Sequence, residues 1–256
     1  MSEKAMLIDV SRCTGCRGCQ VACKQWNSLA AEETTNKGTY ENPPSLSGIT
    51  WTKIKFEEDY GIWQFRKLQC LHCTDASCVS VCPTGAAAHH GEFVIFDQNV
   101  CVGCGFCVVS CPFSIPHKDE SEGTARKCTL CIDRVSNQQI PACAKACPTG
   151  AIEFGDRRDM IEKGEKRVAT LVANGKGRAS FYGKNELGGL HVLYVLEDTP
   201  SSYNLPQSPQ LVTSSLLAQW IGGLVTAGVV AALPLWLVFR RKKDAQEEQL
   251  VGANQE

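Results

Sequence analysis

One short stretch of the sequence, residues 101–112, constrains the fold more than any other. It reads Cys-Val-Gly-Cys-Gly-Phe-Cys-Val-Val-Ser-Cys-Pro, so its four cysteines have the spacing C-x2-C-x2-C-x3-C and a proline follows the last. This spacing is typical of a loop that holds a [4Fe–4S] cluster. Three thiolates of one tight loop bind three irons, and the fourth thiolate binds a neighbouring cluster. One such run therefore predicts a second cluster beside the first.

The other cysteines form three more groups of four, so that all sixteen cysteines of the 256-residue chain lie in four groups. The additional groups are Cys13, Cys16, Cys19 and Cys23; Cys70, Cys73, Cys78 and Cys82; and Cys128, Cys131, Cys143 and Cys147. The sequence Cys-Pro-Thr-Gly-Ala occurs at 82–86 and again at 147–151, and this internal repeat indicates a duplicated module. Sixteen thiolates match the ligands of four [4Fe–4S] clusters with none left over.

Two other uses of cysteine compete with iron–sulfur clusters. An even number of cysteines in an exported protein is compatible with disulfide bonds, but cysteines only two residues apart suit a metal-binding loop better. Zinc ribbons also contain closely spaced pairs, but they use two cysteines per knuckle, whereas each group here carries four. We therefore favour clusters over disulfides and over zinc.

The segments between and after the cysteine groups predict an α+β fold. Alternating charges and an apolar stripe at 161, 168, 171 and 172 predict a long helix that begins after the N-cap residue Asp156 and packs on the cluster domain. The predicted strands are 7–10, 50–56, 62–66, 93–96 and 191–196; the predicted helices are 20–26 and 156–173; and 199–209, rich in proline and serine, is a predicted extended linker.

A run of 24 residues without a charged side chain, 216–239, is long enough to cross a bilayer as a single transmembrane helix. Four basic residues follow at 240–243. Because basic residues mark the cytoplasmic end of such helices, we expect a single-pass inner-membrane protein with its C-terminus in the cytoplasm and its clusters in the periplasm. Residues 1–10 lack the pattern of a signal peptide, so we expect export of the folded chain with a partner that carries a twin-arginine signal.

Several polar side chains lie near the cysteine groups. His72, within Cys-Leu-His-Cys, is expected to act as a hydrogen-bond donor near the cluster sulfurs rather than as a ligand. Basic side chains near the loops either raise the cluster potentials or are ordinary solvated residues. These are Arg12, Arg17, Lys118, Arg126 and Lys127.

The sequence carries no pattern of catalytic residues. It contains no catalytic triad, no glycine-rich phosphate loop and no open metal site, and four fully coordinated clusters leave no iron free for a substrate. The net charge is −1 and no basic domain is visible, so no nucleic-acid partner is expected. We predict a non-catalytic electron-transfer protein; a self-contained enzyme and a cluster-based redox sensor are the alternatives from other classes.

Longer motifs carry a resemblance to a known family. They are Cys-Thr-Gly-Cys-Arg-Gly-Cys-Gln-Val-Ala-Cys (13–23), Asn42-Pro43, Cys-Val-Gly-Cys-Gly-Phe-Cys (101–107), Cys-Thr-Leu-Cys-Ile-Asp-Arg-Val (128–135), Pro-Ala-Cys-Ala-Lys-Ala-Cys-Pro-Thr-Gly-Ala-Ile (141–152) and His-Val-Leu-Tyr-Val-Leu (191–196). With these motifs and the apolar C-terminal run, the chain resembles the iron–sulfur (β) subunit of membrane-bound respiratory formate dehydrogenases. The cysteine groups alone are shared by a wider family of four-cluster electron-transfer subunits.

The resemblance implies a complex of three kinds of subunit, assembled further into a complex of heterotrimers. A molybdopterin catalytic α subunit, with molybdenum or tungsten, oxidises formate; this chain carries the electrons through four [4Fe–4S] clusters; and a cytochrome b-type membrane γ subunit passes them to quinone. The alternative within this class is the equivalent subunit of a periplasm-facing hydrogenase or of another molybdopterin oxidoreductase.

The resemblance also implies the ligands of each cluster, with the fourth cysteines exchanged within each of two bacterial-ferredoxin-like modules. Module A combines the groups at 13–23 and 128–147, and module B combines those at 70–82 and 101–111. The implied sets are Cys13, Cys16, Cys19 and Cys147; Cys128, Cys131, Cys143 and Cys23; Cys70, Cys73, Cys78 and Cys111; and Cys101, Cys104, Cys107 and Cys82. The predicted organisation is a four-cluster domain at 1–155, a helix, strand and linker at 156–210, a transmembrane helix at 211–240 and a tail at 241–256.

Overall fold

The computed structural model describes residues 3–35, 38–59 and 62–215, and within 223–241 all residues except 225, 229, 231 and 235. The chain divides into two compact units, Met1–Leu211 and Val212–Glu256. The sixteen cysteines all lie in the first unit.

The first unit contains ten strands and six α-helices among the described residues. The strands are β1 (Lys4–Asp9), β2 (Lys53–Asp59), β3 (Ile62–Leu68), β4 (Ala87–His90), β5 (Phe93–Phe96), β6 (His117–Lys118), β7 (Ala125–Arg126), β8 (Ile152–Asp156), β9 (Ser180–Tyr182) and β10 (Val192–Leu196). The α-helices are α1 (Gly18–Trp26), α2 (Ser77–Ser80), α3 (Phe106–Ser110), α4 (Ile132–Ser136), α5 (Ala142–Lys145) and α6 (Arg157–Ala173).

A four-stranded sheet in the order β8-β1-β10-β9 joins the N-terminus to the segment after the last cysteine group. β1 and β10 pair in parallel, and the other two pairs are antiparallel. Successive residues of a strand point to opposite faces, so the apolar run of β10 is buried on both. Tyr194 faces the main core around the cysteine groups, whereas Leu193 and Val195 face a second core beneath α6. The predicted buried strand at 191–196 is confirmed.

Helix α6 covers one face of this sheet, as its apolar stripe predicts. Ile161, Val168 and Leu171 pack in the second core together with Met160. Val172 is exposed, so its assignment to the buried stripe is wrong. Asp156 precedes the helix at the predicted N-cap position, yet its side chain makes no capping hydrogen bond. The Asp156 carboxylate instead pairs with Lys4 of the adjacent strand β1.

The remaining strands form three two-stranded sheets: β2 with β3, β4 with β5, and β6 with β7. The predicted hairpin at 50–66 and the predicted strand at 93–96 are confirmed, whereas β4 was not predicted.

The prediction of an extended linker at 199–209 is wrong. Pro200–Tyr203 form a 3-10 helix, and the Tyr203 side chain is completely buried. The Tyr182 hydroxyl donates a hydrogen bond of 2.8 Å to the carbonyl oxygen of Pro206. The proline and serine content predicted an extended segment, but the burial of an aromatic ring and the paired carbonyl fix a turn of 3-10 helix against the core.

The second unit is described in part. Val212–Ser215 form a 3-10 helix, and the described residues between 223 and 241 are helical. The Arg240 guanidinium lies 5.3 Å from the centroid of the Trp236 ring. Across the part of the chain that the structure describes, no helix is both long and apolar enough to span a membrane. Residues 216–222, 225, 229, 231 and 235 of the predicted transmembrane helix lie outside the described residues.

Candidate metal centres

All sixteen cysteines are free, and the structure gathers their thiols into four sets. Set 1 comprises Cys13, Cys16, Cys19 and Cys147, which together line one cavity. Within it the Cys13 thiol interacts electrostatically with those of Cys147 and Cys16. Cys147 is remote from the other three in sequence, so the fold itself brings the fourth thiol to this set.

Set 2 comprises Cys23, Cys128, Cys131 and Cys143, which line a second cavity. The Cys23 thiol interacts with those of Cys143 and Cys131, and the Cys128 thiol interacts with all three others. All four residues are buried. Sets 1 and 2 thus each contain three thiols of one cysteine group and one of the other.

Sets 3 and 4 repeat this arrangement in module B. In set 3 the Cys73 thiol interacts with those of Cys70, Cys111 and Cys78. In set 4 the Cys107 thiol interacts with those of Cys101, Cys104 and Cys82. The structure therefore brings together the same four sets of cysteines that the family resemblance implies.

The exchange of fourth cysteines follows from how the short helices pack. α1 packs against α5, and α2 packs against α3, so each helix that follows a cysteine loop lies beside the helix of the other loop in its module. Gly103 turns one loop with φ +66°, and a Cβ atom there would lie 2.2 Å from the carbonyl oxygen of Gly123. Glycine is required at this position because only glycine fits both the left-handed conformation and the close contact.

The repeated Cys-Pro-Thr-Gly sequence has the same structure in both copies. The Thr84 hydroxyl lies 3.8 Å from the Cys82 sulfur, and the Thr149 hydroxyl lies 3.7 Å from the Cys147 sulfur. The two copies contribute their cysteine to different sets, since Cys82 belongs to set 4 and Cys147 to set 1.

Sequence reasoning missed a second element of the repeat, an aspartate four residues before a cysteine loop. Asp9 accepts a hydrogen bond of 3.0 Å from the Ser11 backbone N–H, and Asp97 accepts one of 2.9 Å from that of Asn99. The backbone N–H of Asp9 donates a hydrogen bond of 2.8 Å to the carbonyl oxygen of the residue just before β8. The backbone N–H of Asp97 donates one of 2.8 Å to that of the residue just before β4. The spacing Asp-x3-Cys at 9–13 and 97–101 was a visible signal.

Backbone N–H groups point at several of the cysteine sulfurs. Ala87 donates to Cys82 at 3.4 Å, Ala125 to Cys101 at 3.4 Å and Leu130 to Cys128 at 3.3 Å. Such hydrogen bonds stabilise negative charge on sulfur and help to set cluster potentials. For Cys82, burial acts to raise the pKa, but the hydrogen bonds from Ala87 and Thr84 outweigh it and lower the pKa.

For most other thiols, burial outweighs the other effects and raises the pKa. It raises the pKa of Cys19, Cys23 and Cys78 to about 12, and it raises the pKa of Cys107 and Cys131 to about 11. A metal ligand must be a thiolate, so these thiols need a strongly positive partner that displaces the proton.

The donor chemistry fits four-iron clusters. Each set offers four thiols, and those of sets 1 and 2 line cavities instead of packing into one another. Within the described ranges, no group of three or more histidine, cysteine, aspartate or glutamate side chains is placed to hold a single metal ion. A four-iron cube binds one thiolate at each of its irons, so its ligands stand farther apart than those of a single ion.

The basic side chains predicted near the clusters differ in their surroundings. Arg126 pairs with Asp119 and Glu122, and Arg12 pairs with Glu153. Lys127 is buried, and its ammonium donates to the carbonyl oxygens of Val94 and Cys128.

Sequence reasoning missed Lys67, which lines the cavities of both set 1 and set 2. Burial acts to lower the pKa of Lys67, but the thiolates of Cys143, Cys19, Cys128 and Cys23 outweigh it and raise the pKa. Its position in strand β3, outside every cysteine loop, gave no sequence signal.

His72 is completely buried and holds the set 3 loop in place. Its Nδ1 accepts a hydrogen bond of 3.0 Å from the Val94 backbone N–H, and its own backbone N–H lies 3.5 Å from the Cys70 sulfur. Burial, reinforced by Lys127, lowers the pKa of His72 well below its usual value, so the ring is neutral. The donor to sulfur at this position is thus the backbone and not the imidazole.

Interactions between thiols join the sets in pairs. Cys19 of set 1 interacts with Cys143 of set 2, and Cys78 of set 3 interacts with Cys107 of set 4. Cys128 of set 2 and Cys70 of set 3 share one buried apolar cluster, which links the two modules. Cys16 of set 1 and Cys104 of set 4 are exposed.

Comparisons with known proteins support iron–sulfur clusters at these cysteine groups. Two family profiles, both described as "4Fe-4S dicluster domain", match residues 12–86 and 62–157. The sequence is 44% identical to the "Formate dehydrogenase, nitrate-inducible, iron-sulfur subunit" of Escherichia coli (strain K12), over 90% of this chain and 82% of the relative. It is 42% identical to the "Formate dehydrogenase iron-sulfur subunit" of Haemophilus influenzae, over 89% and 79%. It is 35% identical to one polypeptide of the "Anaerobic dimethyl sulfoxide reductase" of Escherichia coli (strain K12), over 63% and 78%.

Proposed function

Because this protein belongs to the family of formate dehydrogenase iron–sulfur subunits, we propose that it carries electrons through four [4Fe–4S] clusters from a formate-oxidising subunit to a membrane subunit. The chain itself is an electron-transfer subunit and not a catalytic one, as its relatives are iron–sulfur subunits. The observation that carries the proposal is the gathering of all sixteen cysteines into four sets of four.

Each set holds one cluster, and each cluster when bound accepts and releases one electron. The protein supplies the ligands, excludes water and adjusts the charge around each site. Buried thiols in set 2 and backbone N–H donors such as Leu130 provide a dry environment with fixed dipoles. We propose that electrons pass through the sets in the order 1, 2, 3, 4 or its reverse, since sets 1 and 4 provide the more exposed ligands.

Formate is the proposed electron source because of how far the similarity extends. The nitrate-inducible formate dehydrogenase relative is 44% identical over 90% of this chain, whereas the dimethyl sulfoxide reductase relative is 35% identical over 63%. We propose a molybdopterin catalytic partner with molybdenum or tungsten, a cytochrome b-type partner that reduces quinone, and a complex of several heterotrimers. A complex with another catalytic subunit, such as a hydrogenase, is the alternative.

The apolar run at 216–239 supports a membrane anchor, since its length matches the hydrocarbon core of a bilayer. In this proposal the cluster-bearing part faces the periplasm of the inner membrane and the basic residues at 240–243 face the cytoplasm. A reporter protein active only in the periplasm, fused after 256, tests the orientation. We expect no activity from this fusion, and an active fusion would reverse the proposed orientation.

The test of function uses the complex purified anaerobically from its native membrane in mild detergent. Formate is added, and electron paramagnetic resonance follows the reduction of the clusters. We expect formate to reduce the clusters and hydrogen to leave them oxidised. Reduction by hydrogen with no response to formate would contradict formate as the source and favour the hydrogenase alternative.

A further inference from the structure

Lys67 is the most deeply buried cation near the candidate clusters. Its side chain is 1% exposed, and it lies on strand β3 between the cavities of sets 1 and 2. The hydroxyl of Tyr194, itself fully buried, donates a hydrogen bond of 2.7 Å to the Lys67 carbonyl oxygen and so fixes the backbone there. The position of this ammonium group is therefore set by the fold.

The hydrogen-bonding partner of the ammonium group is neutral. Lys67 Nζ donates to Oε1 of Gln69, whose Nε2 lies 3.2 Å from the Met6 sulfur, and all three side chains are buried. No carboxylate forms an ion pair with Lys67 among the residues that the structure describes. Lys53, equally buried on the same hairpin, shows the usual arrangement, because its ammonium pairs with the Glu41 carboxylate.

A buried ammonium without a counter-charge is strongly destabilising, because the interior cannot replace the hydration it loses. The anionic groups available to Lys67 are the cysteine thiolates of the two adjacent sets. A cluster with four thiolate ligands carries net negative charge, and that charge increases when the cluster accepts an electron. Lys67 is thus placed to stabilise the reduced form of two clusters at once.

We propose that Lys67 is a positioning residue for electron transfer, whose buried positive charge raises the reduction potentials of the clusters in sets 1 and 2. The proposal rests on the ligand sets given above. It extends them by assigning to one lysine, outside all four cysteine groups, an electrostatic effect on both clusters of one module. The charge acts strongly because both sites are shielded from solvent.

The test compares variants of the whole purified complex by potentiometric titration monitored by electron paramagnetic resonance, with iron analysis of each sample. In Lys67→Met we expect the midpoint potentials of two clusters to fall by a tenfold change in equilibrium constant or more, about 59 mV for one electron, while the other two stay unchanged. Lys67→Arg, which keeps the charge, is expected to leave both midpoint potentials close to those of the unmodified complex. Lys55→Met is the matched control, since Lys55 lies on the same hairpin, is partly exposed and pairs with Glu57.

Four unchanged potentials in an iron-replete Lys67→Met variant would overturn the proposal, as would an equal fall of all four. If Lys67→Met loses iron, iron-replete Lys67→Arg still supports a requirement for charge, whereas equal loss of iron in Lys67→Arg would contradict it. Failure of the four-cluster proposal itself is distinguishable, because this chain in the unmodified complex would then hold fewer than about sixteen irons after the iron of its partners is subtracted.

Discussion

Cys147 is the residue whose partner is least apparent from its neighbours in the chain. It follows Cys143 by four residues, yet its thiol lines the same cavity as those of Cys13, Cys16 and Cys19. Cys23 makes the reverse exchange and joins Cys128, Cys131 and Cys143. Each module is therefore tied together by two ligands that cross between its cysteine groups, and loss of either ligand affects a set centred on the other group.

This exchange predicts how iron is lost from paired variants. Cys13→Ser and Cys147→Ser each remove a ligand of set 1, so each variant is expected to hold about 12 irons per chain, and so is the double variant. The matched control combines Cys147→Ser with Cys128→Ser; these residues belong to different sets, so we expect about 8 irons. Iron analysis of anaerobically purified protein makes the measurement. About 8 irons in the first double variant would show that Cys13 and Cys147 bind different clusters.

At the scale of elements, the sheet and helix α6 hold the ligand-bearing loops in place. The Arg167 guanidinium on α6 donates to the Asp9 carboxylate at 2.9 Å and to the Ser11 hydroxyl at 2.9 Å. Asp9 in turn holds the turn that leads into the set 1 loop. The helix thus stabilises the first cysteine loop through polar contacts as well as through its apolar face.

Close packing of α6 on β9 gives a stability prediction. A Cβ atom at Gly164 would lie 2.2 Å from the Phe181 ring, so Gly164→Ala forces the helix away from the sheet. We expect the free energy of unfolding to fall by about 1–3 kcal/mol, the usual cost of overpacking. Gly177→Ala is the control, because no atom lies within 4 Å of its added methyl group. Urea unfolding under anaerobic conditions measures both variants, and equal stability of the two would contradict the packing described here.

The predictable parts of the fold are those with a strong local signal. The periodicity of 156–173 and the apolar run at 191–196 predicted α6 and β10, because each buries a face whose pattern is visible in the sequence. Tyr203 was assigned to a linker because proline and serine surround it, and only tertiary packing shows its burial. Lys67 was missed for a related reason, since its neighbours in space come from cysteine groups far away in sequence.

At the scale of the whole molecule, the proposed order of the sets has a set with an exposed cysteine at each of its two ends. All four cysteines of set 2 are buried, and Cys70 of set 3 packs in the same apolar cluster as Cys128. Cys16 and Cys104 are exposed at opposite ends of the order. In the proposed order, redox partners contact the sets whose cysteines reach the surface.

The proposed order predicts that an internal cluster is required for electron flow. Cys128→Ser, which removes a ligand of set 2, is expected to leave formate able to reduce fewer than the three remaining clusters on the time scale of a single turnover. Electron flow from formate to quinone should then fall at least tenfold. Rapid-freeze electron paramagnetic resonance makes the measurement, with dithionite as the control that reduces all three. Reduction of all three by formate at the wild-type rate would exclude the proposed order.

Counting the irons and the electrons of one anaerobic sample tests most directly whether one chain carries four clusters that each take one electron. Iron and acid-labile sulfide are measured on the purified complex after subtraction of partner contributions, and a reductive titration counts the electrons taken up by this chain. We predict about sixteen irons, about sixteen sulfides and four electrons per chain. Fewer irons together with bound zinc or disulfide-linked cysteines would contradict it.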